Sequence, residues 1–423
     1  MKGQTAKNYK WWIVFIGGLG IFFSGPGQTY SNSIFINEYV NYFGWSRSDV
    51  SLIYSLGTLA AGFLMMHVGK LVDKFGQRRM TLTVAILFGL ACIYNSFVTN
   101  LFLLFIGFFL IRLLGQGSMT LIPNTLIPHW FLAKRGLAIS LMTLGSFLSA
   151  TIFPVLNEAL ISSYGWQNTW RILGVSLLVI FFPIAFILVQ NRPFKENGQE
   201  LIIDPSTSIQ EVDEEIQNEP ISALATRDWT VDEAKKTATF RALIACVGIP
   251  ALVNTAITFH IVSIFQTNGL TAQNAAVVLS MMAFMGFPVT LIAGRLVDRI
   301  PLQFMLVTVF ILEIVFLVVL LNLTNVTSSI LFAVIWGIAN GVERIVLTMV
   351  WPNFFGLKHS GSFQGIGATL TVLGSSLGPL PLGLAYDYFQ NYQFSLLILI
   401  ALPVIGLIAS TRVKPLDKIS YTH

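Results

Sequence analysis

The chain has 423 residues, 54% apolar and only 11% charged, where an average soluble protein has about a quarter of its residues charged. Its 25 basic and 20 acidic residues gather in short stretches and leave long spans bare, which excludes a soluble enzyme, a secreted disulfide scaffold and a disordered chain and makes this an integral membrane protein. The net charge of +5 then reports orientation in the bilayer before any nucleic-acid partner.

A helix of roughly 18 to 25 apolar residues crosses a hydrocarbon core of about 30 Å. Twelve such spans are predicted, at 11–32, 49–69, 80–98, 101–126, 136–160, 168–190, 241–265, 275–297, 303–322, 328–352, 364–385 and 394–411. The first follows Lys2, Lys7 and Lys10, but its apolar run is too long for a signal peptide and no small-residue cleavage site follows. Residues 191–240 break the pattern with eleven acids, Asp213, Glu214 and Glu215 among them, and with Pro205 and Pro220. They divide the chain into an N-terminal six-helix bundle (1–190) and a C-terminal one (241–423). Thr230 and Glu233 form a capping-box pattern before Ala234-Lys235-Lys236, predicting a short amphipathic helix along the inner membrane face. The rest of this cytoplasmic stretch reads as a flexible linker, with a regulatory docking site as the other possibility.

With the N-terminus inside, twenty-one Lys and Arg fall on the cytoplasmic side, against Arg47 and Arg171 on the other. Both termini are therefore expected in the cytoplasm, with the protein in the cell membrane. Cys92 and Cys246 lie in apolar runs as small packing residues, and no zinc or haem spacing occurs. No metal or cofactor is expected.

The two halves echo one another. Gly69-Lys70-Leu71-Val72-Asp73-Lys74-Phe75-Gly76-Gln77-Arg78-Arg79 follows the second span, and Gly294-Arg295-Leu296-Val297-Asp298-Arg299-Ile300 follows the eighth. A fainter echo pairs Thr143-Leu144-Gly145 with Val372-Leu373-Gly374. Duplicated halves are a transporter architecture. The first motif resembles the loop 2–3 signature of the major facilitator superfamily, and Arg112-Leu113-Leu114-Gly115-Gln116-Gly117 resembles its fourth-helix motif. The resemblance implies an all-α fold of twelve helices in two pseudo-symmetric bundles. It also implies a gating role for Gly69, Asp73, Gly76, Arg78, Asp298 and Arg299, and a cavity lined by helices 1, 4, 7 and 10.

Further stretches are similar to the monocarboxylate porter and oxalate/formate antiporter group: Gly25-Pro26-Gly27-Gln28-Thr29-Tyr30-Ser31, Trp45-Ser46-Arg47-Ser48, Arg135-Gly136, Gly165-Trp166 with Trp170-Arg171, and Trp229-Thr230. The chain also departs from that group. Its helix-1 lysine would fall near Tyr30, its helix-8 arginine is replaced by Thr290, and helix 11 has no lysine.

A charge inside a membrane helix costs at least about 2.5–3.5 kcal/mol, so Arg112, Glu313, Glu343 and Arg344 stand out. Arg112 is near mid-depth with Gln116 on the same face. It reads as an anion-binding or proton-relay residue facing the cavity, or as a buried arginine bonded to the helix-1 break, and the two are compatible. Asn340, Arg344 and Thr348 share a face of helix 10, making Arg344 a substrate anchor. Glu343 is the candidate proton carrier, because desolvation favours the neutral acid and lets it load and release a proton; the other reading is a structural ion pair. Glu313, in a bracing helix, is expected to hydrogen-bond a neighbour. Tyr30 and Asn32 in a broken turn from Gly25 to Asn32, and Asn254 in helix 7, are candidate substrate contacts. His260 reads as a satisfied packing residue.

No nucleotide-binding lysine motif is present, so an ion or solute gradient is the expected driver. The sequence therefore predicts a monomeric, proton-coupled secondary transporter of a small organic anion, with no nucleophile–base pair that would make it an enzyme. Proton-coupled efflux of amphipathic compounds stays open, though helix 5 lacks the Gly-Pro signature of drug antiporters. A transporter-like membrane sensor signalling through 191–240 also stays open.

Overall fold

Hydrocarbon offers no hydrogen-bond partners, so an apolar run in a bilayer satisfies its amides within a helix. The computed structural model, which describes residues 2–130, 135–190, 195–196, 199–200, 228–297, 299–356 and 360–413, is accordingly almost all helix. The first part of the chain forms α1 (Lys2–Phe23), α2 (Thr29–Phe43), α3 (Arg47–Phe75), α4 (Gln77–Asn95), α5 (Leu101–Ile111), α6 (Met119–Trp130), α7 (Arg135–Ser176) and α8 (Phe182–Leu188). The second holds a single turn, α9 (Val231–Ala234), then α10 (Ala238–Thr267), α11 (Ala272–Leu296), α12 (Leu302–Leu321), α13 (Val326–Phe355), α14 (Ser360–Leu377), α15 (Pro379–Phe389) and α16 (Gln393–Thr411).

Among the described residues, nine stretches are long and apolar enough to cross a membrane. The longest, Leu141–Leu188, contains two of the predicted crossings, and Gly165, at φ 77°, breaks the helix between them. Side-chain oxygens of Asn100, Thr237, Thr271 and Asn325 cap the helices that follow them, giving the orphaned first-turn amides an acceptor.

Two departures from the expected elements concern helix geometry. The break after α1 is confined to a 3-10 turn at Gly25–Gly27, so Tyr30 and Asn32 already belong to α2. The fourth span winds as a π-helix over Arg112–Ser118, and a second π stretch covers Leu177–Phe181.

The chain forms two compact units. One comprises Met1–Phe35 and Leu56–Glu219, the other Ile36–Ser55 and Pro220–His423. Within the first unit a Cβ on Gly145 of α7 would run into the Gly18 carbonyl of α1. Within the second, a Cβ on Gly374 of α14 would lie 2.6 Å from the Gly248 oxygen of α10. The faint Gly145/Gly374 echo is therefore one close helix crossing made twice. Small residues at such points let helices approach where no hydrophobic force drives them together.

The capping box at the end of the linker is formed. Thr230 Oγ1 accepts from the Glu233 amide at 3.3 Å, and the Glu233 carboxylate accepts from the Thr230 amide at 2.9 Å. The helix it starts is four residues long, shorter than expected. The buried Trp229 precedes it, with its amide donating to the Phe355 carbonyl at 2.9 Å, in an aromatic cluster with Phe240, Trp351 and Phe363. The acidic residues 201–227 lie outside the described residues.

Candidate functional site

A polar cluster within the second unit surrounds Asn254 of α10. Its Nδ2 donates to the Glu343 carboxylate at 2.9 Å, while its Oδ1 accepts from Trp336 Nε1 at 2.6 Å and from Asn340 Nδ2 at 3.3 Å. Asn340 also donates to the Trp336 carbonyl at 3.0 Å. Three residues singled out from the sequence, Asn254, Asn340 and Glu343, thus meet at one point. Trp336 was missed, although 336, 340 and 343 follow an i, i+4, i+7 stripe that marks a single helix face.

Arg344 is exposed beside the half-buried Glu343, as a turn of about 100° between neighbours requires. Thr348, one turn further, donates to the Arg344 carbonyl at 2.7 Å. Thr348 also lines a cleft of this unit with Trp351, Gln364 and Thr371, so the Asn340–Arg344–Thr348 face runs from the Asn254 cluster into a concave surface.

In the first unit Arg112 is 3% exposed. Its guanidinium donates to the Gly27 carbonyl at 3.3 Å and to Thr29 Oγ1 at 3.1 Å. The break after α1 takes the Gly27 carbonyl out of the helical ladder, and the arginine supplies it with a donor. Gln116 is half-buried in the same π stretch, and its carbonyl accepts from Thr120 Oγ1 at 2.6 Å. Tyr30 donates to Ser149 Oγ at 2.8 Å, and that hydroxyl donates to the Phe22 carbonyl at 2.8 Å. Asn32 is fully buried, with Nδ2 donating to the Gln28 carbonyl just ahead of its own helix at 2.9 Å.

Arg112→Ala is expected to cost about 2–4 kcal/mol, since a buried acceptor left without its donor costs about 1–3 kcal/mol. Arg112→Lys, which keeps a charge and donors, is expected to lose less. Thermal unfolding of the purified variants measures both, and equal losses would refute this account of the guanidinium.

Ile36–Ser55 packs within the second unit through a polar network. Arg47, 8% exposed, donates to Asn37 Oδ1 at 2.6 Å and lies over the Tyr386 ring at 4.6 Å. Asn37 donates to Gln266 Oε1 at 2.5 Å. The Asp387 carboxylate accepts from the amides of Arg47 at 3.2 Å and Ser48 at 2.8 Å, capping the start of α3. His260 is buried, its Nε2 2.8 Å from the Pro379 carbonyl and its Nδ1 3.2 Å from the Tyr392 hydroxyl. Its reading as a satisfied histidine agrees with these contacts. Arg47, by contrast, is no mere loop cation. Asp387→Ala is expected to lower thermal stability by about 1.5–3 kcal/mol, the range for hydrogen bonds to a charged group, with Asp387→Asn falling between. A melting curve unchanged in both variants would remove the network from the account.

In the loop 2–3 motif, Gly76 takes φ 81° ahead of α4, a conformation that favours glycine. Arg78 donates to the Phe186 carbonyl at 2.9 Å and lies over the Phe186 ring. Gly69 has open space where a Cβ would stand, and Arg299 is exposed. The Asp73 side chain and Asp298 lie outside the described residues.

A family model described as Major Facilitator Superfamily matches residues 17–379. The chain belongs to the major facilitator superfamily. It is a multi-pass membrane transporter and not an enzyme. The Staphylococcus epidermidis glucose transporter is 25% identical over 389 residues, 84% of each chain. The aspyridones efflux protein of Emericella nidulans is 23% identical over 380 residues, 87% of this chain and 70% of its own. Mouse monocarboxylate transporter 9 is 26% identical over 182 residues, 43% of this chain and 36% of its own. Among solved structures, a bacterial homologue of the human lysosomal transporter Spinster, inward-facing and occupied, matches with a TM-score of 0.66 at 13% identity, covering 96% of this chain and 94% of that one. At that identity the match speaks to the fold, which is the superfamily's.

Proposed function

We propose that this transporter carries a small, monocarboxylate-like organic anion together with a proton by alternating access. The observation behind this reading is the Asn254–Glu343 hydrogen bond one residue from the exposed Arg344. An ionised Glu343 offsets the positive field of Arg344; once Glu343 takes a proton, Arg344 is left to attract an anion. Proton and cargo then favour each other's binding, as linkage requires. Asn254 and Asn340 supply neutral hydrogen-bonding groups in this scheme. Within the first unit the proposed substrate contacts are Tyr30, Asn32, Arg112 and Gln116, the last two on a π stretch of the kind that recurs at functional sites. The Gly69–Arg79 and Gly294–Arg299 motifs govern switching. The protein works as a monomer in the cell membrane with both termini in the cytoplasm, the side on which its basic residues fall.

A neutral hydroxylated cargo such as a hexose is the second reading. The half-buried amides of Asn254 and Asn340 offer the donors and acceptors that sugar hydroxyls need, and the glucose transporter relative aligns over 84% of both chains.

Thermal unfolding of the purified protein with lactate, oxalate, glucose and amphipathic cations separates these readings. A ligand at 100 times its Kd stabilises the folded state by about 2.7 kcal/mol. A carboxylate shift lost in Arg344→Ala supports the anion reading. A glucose shift shared by wild type and Arg344→Ala replaces it with the sugar reading, and shifts from amphipathic cations alone replace it with efflux.

A further inference from the structure

Glu313 of α12 does not make the neighbour hydrogen bond expected of it. It is 1% exposed, and neither carboxylate oxygen has a hydrogen-bond partner among the described residues. The helices packed against α12 are α13 and α16. On α12 itself Glu313 is the sole ionisable side chain, and α16 carries none. On α13 the ionisable groups are Glu343 and Arg344. Arg344 is exposed and Glu343 is half-buried. The helix packed against the buried Glu313 carboxyl thus carries a second carboxyl that is turned partly inward.

The two belong to one wall. Phe316, one turn along α12 from Glu313, packs at 6.0 Å against Trp336. Trp336 donates to Asn254, and Asn254 donates to Glu343. On its other side Phe310 fills the space over Gly406 of α16. Among the described residues, the helix and ring surfaces around Glu313 give its carboxylate no hydrogen-bond donor. Moving an unpaired carboxylate out of water costs several kcal/mol even after relaxation, and two neighbouring carboxylates resist ionising together.

We infer that Glu313 is a proton-binding site, loaded in the conformation described here, and that it forms with Glu343 a pair that retains a proton when Glu343 gives one up. The step is proton transfer alone: an O–H bond forms at one Glu313 oxygen as an O–H bond of a hydronium ion breaks and leaves water, and no other bond changes. The pairing with Glu343 rests on the proton-coupled reading above; the occupancy of Glu313 does not.

Infrared spectra of the purified full-length protein at neutral pH, in H2O and in D2O, test the inference with the proton and the deuteron as probes. The expected result is a protonated-carboxyl stretch that is present in wild type and in Glu343→Gln, reduced in Glu313→Gln, and absent once both substitutions are combined. Glu313→Asp, which keeps the acid on a shorter stem, should return the lost intensity at a shifted frequency and exclude misfolding as the cause. A band unchanged in Glu313→Gln, or no protonated carboxyl in wild type, overturns the inference. If Glu313→Gln reduces the band while Glu343→Gln leaves cargo binding as pH-dependent as before, the proton-coupled reading fails and the Glu313 site stands.

Discussion

Glu343→Gln is expected to make cargo affinity independent of pH while leaving cargo exchange across the membrane intact. In the proposed scheme the proton and the anion each bind more tightly when the other is present, and coupling of this kind is typically about 1–3 kcal/mol, or about 5- to 150-fold in affinity. Glutamine keeps the acceptor that Asn254 Nδ2 uses at 2.9 Å but cannot gain or lose a proton, so the variant is locked in the neutral form. Its affinity at high pH should match that of wild type at low pH. Exchange of labelled against unlabelled cargo needs no net proton movement and should persist, whereas uphill accumulation driven by a pH gradient should disappear. Binding measured across pH, with accumulation in proteoliposomes, checks both. A Glu343→Gln protein that still accumulates cargo would rule out Glu343 as the carrier.

Gly27→Val is expected to have the largest effect on folding. A side chain at Gly27 would run into the Ile111 carbonyl, and its Cβ would lie 2.8 Å from both the Gln116 amide nitrogen and the Gly115 Cα. All three are backbone atoms, which cannot swing aside as a side-chain tip can. Overpacking ordinarily costs about 1–3 kcal/mol, and an obstacle made of backbone puts this substitution at or above about 3 kcal/mol. The same movement would pull the Gly27 carbonyl from Arg112. Gly27→Ala should show a reduced form of the defect. Yield of monodisperse protein and its melting temperature measure the series, and a Gly27→Val protein as stable as wild type would contradict this packing.

Legibility in the sequence follows the range of the forces involved. Hydropathy alone gives the helices, because hydrocarbon enforces the local answer. The Thr230–Glu233 box was legible because a cap is made within one turn, and the Gly145/Gly374 echo because a close crossing tolerates few residue types. The π stretch at Arg112 was not. Its register depends on how α1 breaks at Gly25–Gly27 and presses on Gly115, a contact between residues far apart in the chain. The Asn254 hub was half legible: helix periodicity grouped Asn340 with its neighbours, but only tertiary packing pairs them with a side chain from α10. Arg47 looked like an ordinary loop cation because its partners Tyr386 and Asp387 lie more than three hundred residues away. Glu313 was misjudged for the converse reason, since no local pattern reveals that a buried acid has been left without a donor.

The allotment of Ile36–Ser55 to the second unit bears on the order in which the chain can assemble. A unit built from two separated pieces of sequence cannot be finished until the later piece has been synthesised. The α3 start therefore emerges early and waits for Asp387, its capping carboxylate, through most of translation. No single cut in the linker yields two self-sufficient fragments: a piece beginning at 241 would leave Asp387, Tyr386 and Gln266 without the partners they hold here. Split-gene halves joined at that point should recover these contacts only when co-expressed, and grafting residues 36–55 onto the second half should improve its yield alone.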